Sequence, residues 1–225
     1  MMKQRKSLVL SLALATHLPQ ALAMICLATL GSWFYGQREL GLLWVFLAVT
    51  CGQASVGWVN DLKDSKIDTK FQRKHKPLVG RSLTPDQIKL PIAIALTLTI
   101  PFSFLAAGWL GGLAHIVAVL SAQVYNLYLA RTHWSWLPYA ISFSLLPVFI
   151  VQSSSTALFP SWEIVSISIC VGVIAHIFNA LPDIDLDKRS NLGGAIVALG
   201  KARAITLAAG LSAVILALLA QLLVS

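Results

Sequence analysis

The stretch from Leu40 to Asp68 reads LGLLWVFLAVTCGQASVGWVNDLKDSKID, and its character changes at Asn60. From Leu40 to Asn60, 21 consecutive residues include no Asp, Glu, Lys or Arg. At about 1.5 Å per residue that is enough helix to cross a hydrocarbon core roughly 30 Å thick. Asp61, Asp64 and Asp68 follow at spacings of three and four. If the helix continues through them at about 100° per residue, these three carboxylates and the Asn60 amide stand on one face. Like charges stacked in this way repel and weaken a helix unless a cation neutralises them. The segment therefore predicts a spanning helix that ends in an acidic stripe suited to holding something positive.

Outward from this segment, stretches free of charge recur at Ser7–Gln37, Leu90–Ala130, Thr132–Trp162, Ile164–Pro182 and Ala204–Ser225. The longest of them, 41 residues, breaks at Gly108-Trp109-Leu110-Gly111-Gly112 and reads as two helices joined by a tight turn. The expectation is an all-α polytopic membrane bundle of about seven transmembrane helices, near 8–30, 40–59, 90–107, 112–130, 135–152, 163–181 and 204–224. The chain of 225 residues is read as one transmembrane domain, with Asp-rich loops at about 60–89 and 182–203. Composition agrees, since 12% charged residues at a mean hydropathy of +0.76 is about half the charged share of a soluble domain.

Loop charge sets the orientation. Of 17 Lys and Arg, all but Arg38 fall on one side of this arrangement, which places the N-terminus and both Asp-rich loops in the cytoplasm and the C-terminus outside. An integral protein of a prokaryotic plasma membrane is the expected setting. Lys3, Arg5 and Lys6 precede an apolar run too long for a signal-peptide core, so the first helix reads as retained. The net charge of +8 is spread over juxtamembrane loops and forms no single basic face, which argues against nucleic acid as a partner. Cys26, Cys51 and Cys170 lie in predicted spans at unrelated positions, as packing residues.

A second acidic cluster begins where the sixth helix ends. Asn179, Asp183 and Asp187 are spaced i, i+4, i+8 with His176 leading the same stripe, whereas Asp185 points away. Four crossings separate the two clusters, so they share one side of the membrane and can face each other. Hard oxygen donors without Cys pairs favour Mg²⁺ over Zn²⁺. Mg²⁺ is usually held by carboxylates together with substrate phosphates, and Arg73, Lys74, Lys76 and Arg81 follow the first cluster, suited to those phosphates. The chemistry is diphosphate binding at a membrane face, with an apolar bundle behind it for a lipid-soluble tail.

These motifs resemble the UbiA superfamily of intramembrane prenyltransferases. Asn60, Asp61, Asp64 and Asp68 match its N-D-x-x-D-x-x-x-D pattern, Lys76-Pro77-Leu78 with Gly80 its basic-Pro-Leu segment, and Asn179, Asp183 and Asp187 its second motif. Gly193 and Leu199-Gly200 fit the stretch before the next helix. The resemblance implies Mg²⁺-dependent transfer of an isoprenyl group from its diphosphate to an aromatic or other lipophilic acceptor within the membrane. It further implies one metal held by Asn60, Asp61, Asp64 and Asp68 and a second by Asn179, Asp183 and Asp187. Asp61, Asp64, Asp183 and Asp187 would carry catalysis, and Lys76, Arg81, Arg73 and Asn126 the diphosphate. The chain departs from the family in lacking the final helical pair of nine, and in having Thr16-His17-Leu18-Pro19-Gln20 where the family has Arg-Pro near the first helix. Chain length of the isoprenoid, acceptor and oligomeric state are not encoded in these motifs.

The rival readings are a UbiA-like terpene cyclase, a phosphoribosyl transferase, a divalent-cation transporter and a non-catalytic assembly protein. Gln53, Gln123, Asn126, His115 and His176 are intramembrane polar residues, functional or bonded between helices. Tyr125 and Tyr128 could face a carbocation. Trp58, Trp109, Trp134, Trp136 and Trp162 read as interfacial anchors.

Overall fold

The computed structural model describes residues 7–74, 76–154, 159–190 and 192–224. Lys3, Arg5 and Lys6, on which the N-terminal orientation rests, lie outside them. All regular structure among the described residues is helical: α1 (Leu8–Leu14), α2 (Leu18–Phe34), α3 (Glu39–Lys70), α4 (Pro85–Val124), α5 (Leu137–Gln152), α6 (Trp162–Ala180), α7 (Ile184–Arg189), α8 (Ala195–Leu199) and α9 (Lys201–Val224). A π-helical turn at Tyr125–Leu129 follows α4 and a 3-10 turn at Leu181–Asp183 follows α6.

The boundaries have local causes. His17 takes a left-handed conformation, φ 56°, and Pro19 opens α2 with φ preset for a helix. Between them the chain bends by 75° from α1 to α2. Helix α4 starts on a capping box between Thr84 and Gln87. It breaks at Ala107–Gly108, where Gly108 has φ 60°, a conformation glycine adopts without a Cβ penalty. The two arms then fold back on each other. Ser103 Oγ lies 2.7 Å from His115 Nδ1, twelve residues on, whereas a straight helix would separate those residues by about 18 Å. Phe104 and Trp109 stack across the turn with centroids 5.2 Å apart.

Among the described residues, four elements are long and apolar enough to cross a membrane: α3, α4 with its π turn, the α6–α7 run, and α9. The bent α1–α2 pair makes a fifth. The expected seven separate spans are thus not reproduced as seven, because the 90–107 and 112–130 helices are arms of one element and α5 has only 16 residues. Helix α3 runs 32 residues, through the acidic motif to Lys70, so the first Asp cluster is helical and the connection shrinks to residues 71–84. The 182–203 connection likewise contains α7 and α8.

The central core joins Ile25 and Ala28 of α2, Val45, Ala48 and Val49 of α3, Ala106 and Ala107 of α4, and Leu146, Phe149 and Ile150 of α5. Four alanines, Ala28, Ala48, Ala106 and Ala107, sit among these larger side chains, the small residues that let helix backbones approach closely in a membrane. Gly57 of α3 meets the chain at Thr16 so closely that a Cβ would stand 2.7 Å from its backbone. Ile94, Leu105, Leu216 and Leu223 face outward, as lipid contacts would. Trp109, Trp134 and Trp162 are exposed, but Trp58 is an internal tie, its indole N–H donating to Leu12 O at 2.9 Å. A second core of Ile177, Ile184, Ile196, Ala204 and Ala208 docks α7 and α8 between α6 and α9.

Candidate functional site

Asp61 and Asp68 are 3% and 1% exposed, and a carboxylate so buried persists as an anion only if paired. Lys76 supplies the pairing for both. Its Nζ lies 2.9 Å from Asp61 Oδ1 and 2.8 Å from Asp68 Oδ2. Arg73 extends the chain of charge, with Nη1 3.3 Å from Asp68 Oδ1 and Nη2 2.6 Å from Asp183 Oδ1, so one guanidinium bridges the two acidic motifs. Arg131 Nη2 lies 2.9 Å from Asp64 Oδ1, and His17 Nε2 stands 3.1 Å from Asp61 Oδ1. Burial alone would push Lys76 down, but Asp61 and Asp68 more than offset it and hold the ammonium above its usual range. Arg73 is likewise raised, burial opposing and Asp183 leading the stabilisation.

The connection after α3 is shaped to return Lys76 to the helix it left. Gln72 takes a left-handed φ of 52°. Gly80 packs so that a Cβ would stand 2.7 Å from Lys74 O, and its N–H donates to Lys76 O at 2.8 Å. Leu83, 1% exposed, anchors the far end among Ala15, Ile88 and Ile92. Arg81 sits on this turn with φ 57°. It is exposed and pairs with no carboxylate among the described residues, so the structure does not bring it to the site.

Three asparagines stand between the charges and the bundle. Asn60 Nδ2 lies 3.4 Å from Asp64 Oδ2 and from Asn126 Oδ1, and Asn126 Nδ2 donates to Val56 O at 2.9 Å. Asn126 reaches α3 from the π turn, a distortion that frequently marks functional sites. Asn179 Nδ2 donates to Tyr139 Oη at 3.1 Å rather than approaching Asp183. Pro182 explains the separation: it cannot continue α6, so Asn179 lies on α6, Asp183 at the end of the 3-10 turn and Asp187 on α7. Asp185 is exposed, as its angular position predicts.

Below the asparagines lies a cavity of about 490 Å³, lined by Asn60, Asn126 and Asn179 at one end and by Val49, Leu146 and Phe149 at the other. Tyr125 and Tyr139 line it and meet edge to face at 5.2 Å. Tyr128 is 73% exposed and faces away. His176 is a buried support, 3.1 Å from Ser135 Oγ through Nε2 and packed against both tyrosines.

The sequence-derived set is thus gathered in large part into two neighbouring clusters: Lys76 and Arg73 link Asp61, Asp68 and Asp183, and Asn60 links Asp64 to Asn126, with Asp187 half-buried beside Asp183. His17 joins the first cluster through Asp61 and Arg131 the second through Asp64, whereas Tyr139 bonds Asn179 beside them. Arg131 read as a topological charge and His17 as a departure from a pattern; only the fold shows their partners. Among the described residues, no three His, Cys, Asp or Glu side chains converge by themselves as a metal site. The reason is visible in the network, where Lys76, Arg73 and Arg131 lie between the carboxylates. The donors remain hard oxygens presented from two sides, which suits a hard divalent cation.

The model of the UbiA prenyltransferase family matches residues 18–225. The chain belongs to that family. With its apolar spans, this makes it an integral membrane protein. Solved UbiA homologues share the fold. One from Archaeoglobus fulgidus matches at 20% identity and a TM-score of 0.76, covering 96% of this chain and 76% of the homologue. The same homologue bound to DMAPP and Mg²⁺ matches at 19% and 0.78, over 94% and 77%. A UbiA homologue from Aeropyrum pernix K1 matches at 17% and 0.65, over 89% and 77%. The comparison with curated proteins yields no match.

Proposed function

We propose that this UbiA-family chain acts as one membrane domain that transfers an isoprenyl group from its diphosphate to a lipophilic acceptor, with Mg²⁺ bound at the paired Asp motifs. The observation that carries this is the Arg73 bridge from Asp68 to Asp183, which sets both motifs around one charge-binding locus above a cavity sized for a small ligand. Homologues of this fold are bound to GPP with Mg²⁺ and to DMAPP with Mg²⁺.

Asn60, Asp61, Asp64 and Asp68 on α3 and Asn179, Asp183 and Asp187 across from them would hold the metal ions. Mg²⁺ bound there would neutralise charge developing on the leaving diphosphate. Lys76, Arg73 and Arg131 then become available to the diphosphate oxygens, while Asn126 steadies Asn60 at the cavity rim. The allylic C1–O bond breaks and its electron pair leaves with the diphosphate. An electron pair of the acceptor forms the new bond to C1, and the displaced proton is taken up by the diphosphate. Tyr125 and Tyr139 present ring faces and edges below this point, where a cation is stabilised by π density and water is excluded. We read this end, where the bases concentrate, as the cytoplasmic side of a prokaryotic plasma membrane.

Diphosphate release by the purified chain from geranyl and farnesyl diphosphate, with a membrane lipid extract as acceptor source, tests the reading. Release should require Mg²⁺ and fall at least about a hundredfold in Asp64→Ala, which removes a charge-stabilising group. Release that is unaffected by Mg²⁺ removal, or by Asp64→Ala, refutes it.

A further inference from the structure

The cavity has a polar wall that the diphosphate chemistry does not use. Val49, Gln53, Val56 and Asn60 of α3 all line it, spaced i, i+4, i+7, i+11 as one helix face. Gln53 lies seven residues below Asn60 on that face, about 10 Å deeper. Its amide has no hydrogen-bond partner among the described residues, although it stands within the membrane-spanning part of the bundle. Of the neighbouring polar side chains, His115 on the cavity wall pairs its Nδ1 with Ser103 Oγ at 2.7 Å; Gln123, outside the lining, donates from Nε2 to Ser55 Oγ at 3.2 Å and leaves its Oε1 unpartnered. An amide left unpaired in a low-dielectric cavity is costly unless a ligand or water completes it.

The same lining includes no Lys, Arg, Asp or Glu among the described residues. The bases nearest the rim, Lys76, Arg73 and Arg131, are each held by motif carboxylates here and would turn to the diphosphate oxygens in the loaded site, and His17 is held by Asp61. A carboxylate brought into this cavity would meet no permanent cation, and an unpaired buried anion is strongly disfavoured. A neutral hydroxyl or carbonyl meets the Gln53 amide, which both donates and accepts.

On the prenyl-transfer reading above, we propose that the acceptor is a neutral, hydroxyl- or carbonyl-bearing lipophile hydrogen-bonded by Gln53, and that carboxylate-bearing acceptors are rejected. The polar group of the acceptor is then anchored about two helical turns below the level at which the diphosphate leaves.

The test uses a matched pair, 1-naphthol and 1-hydroxy-2-naphthoate, which differ by one carboxylate. Binding to the full chain in detergent is followed by thermal shift, in the presence of Mg²⁺ and geranyl diphosphate. The wild type should bind 1-naphthol at least tenfold more tightly than 1-hydroxy-2-naphthoate. Gln53→Leu should weaken 1-naphthol about tenfold, the scale of one lost hydrogen bond, while keeping its thermal response to geranyl diphosphate, which reports that the variant is folded. Gln53→Arg should gain affinity for 1-hydroxy-2-naphthoate. If geranyl diphosphate with Mg²⁺ produces no response in the wild type, the prenyl-transfer reading fails and this proposal with it. If that response is intact but the wild type binds 1-hydroxy-2-naphthoate as tightly as 1-naphthol, or Gln53→Leu binds 1-naphthol like the wild type, the acceptor proposal alone is overturned.

Discussion

Replacing Lys76 by methionine keeps most of the side-chain volume and removes the charge that lies between Asp61 and Asp68. Both carboxylates are almost completely buried, 3% and 1% exposed, and removing one partner of a buried pair costs about 3–5 kcal/mol because the other is left uncompensated. Asp61 keeps His17 at 3.1 Å and Asp68 keeps Arg73 at 3.3 Å, so the loss belongs near the lower bound, about 3 kcal/mol. At about 2–4 °C per kcal/mol for a chain of this size, Lys76→Met should lower the Tm by about 6–12 °C in EDTA. Tryptophan fluorescence melts of the detergent-solubilised chain read this directly. Because the same carboxylates are the proposed Mg²⁺ ligands, excess Mg²⁺ should narrow the gap between variant and wild type. Lys76 is raised above its unfolded value despite burial, through Asp61 and Asp68. A raised group contributes stability fully below its unfolded value and loses it only as pH climbs through the folded one, so the gap should stay constant from roughly pH 6 to pH 9, well below the lysine range. A variant that melts with the wild type in EDTA would refute the view that Lys76 is the counter-ion on which the metal-free site depends.

Gly57→Ala sets a methyl against the Thr16 backbone, 2.7 Å away. The strain should cost about 1–3 kcal/mol, seen as a lowered melting temperature, and an unchanged melt would mean the α1–α2 junction yields freely. Arg73→Ala should reduce diphosphate release at least about tenfold by removing a charge-assisted contact, whereas Arg81→Ala, on an exposed turn with no carboxylate partner among the described residues, should leave it within about twofold; the reverse order would move the diphosphate contact to the turn. Ser103→Val leaves His115 Nδ1 without its 2.7 Å partner at a cost of about 1–3 kcal/mol, and Ser103→Thr, which keeps the hydroxyl, should recover most of the lost Tm.

The acidic motifs were legible because their chemistry is periodic: carboxylates at three and four residue spacings announce a common helix face before any packing is known. The break at Gly108 was legible for a similar local reason, glycines clustered inside an apolar run. What escaped depends on distance in sequence. Arg131 looks like any juxtamembrane base until α4 and its π turn bring it to Asp64, 67 residues earlier. His17 looks like a missing arginine until the left-handed turn before α2 aims it at Asp61, 44 residues later. Helix α3 ran eleven residues beyond its expected end at residue 59 because the repulsion that should fray an acidic stripe is cancelled by bases arriving from the following connection and from the segment just after the π turn. Pro182, visible throughout, divides the second motif between two helices, a consequence that spacing alone does not express.

That cancellation also changes what the basic composition means. Lys and Arg on the residue 60–89 side of the bundle orient a polytopic protein by their number, yet Lys76 and Arg73 of that connection are committed to Asp61, Asp68 and Asp183. On the orientation proposed above the same charges would set topology during insertion, and in the folded bundle they hold the acidic motifs together. A connection of 71–84 that were merely basic could satisfy the first role; the second needs the left-handed Gln72, the close approach at Gly80 and the buried Leu83 to return Lys76 to α3. Orientation therefore tolerates moving a lysine along the loop, and site integrity does not. Moving the Lys76 charge to residue 78 as the pair Lys76→Leu and Leu78→Lys preserves every count on which topology depends. It should keep membrane insertion intact while reproducing the thermal loss of Lys76→Met in EDTA, and a double variant as stable as the wild type would show that the network needs only a nearby positive charge rather than this one.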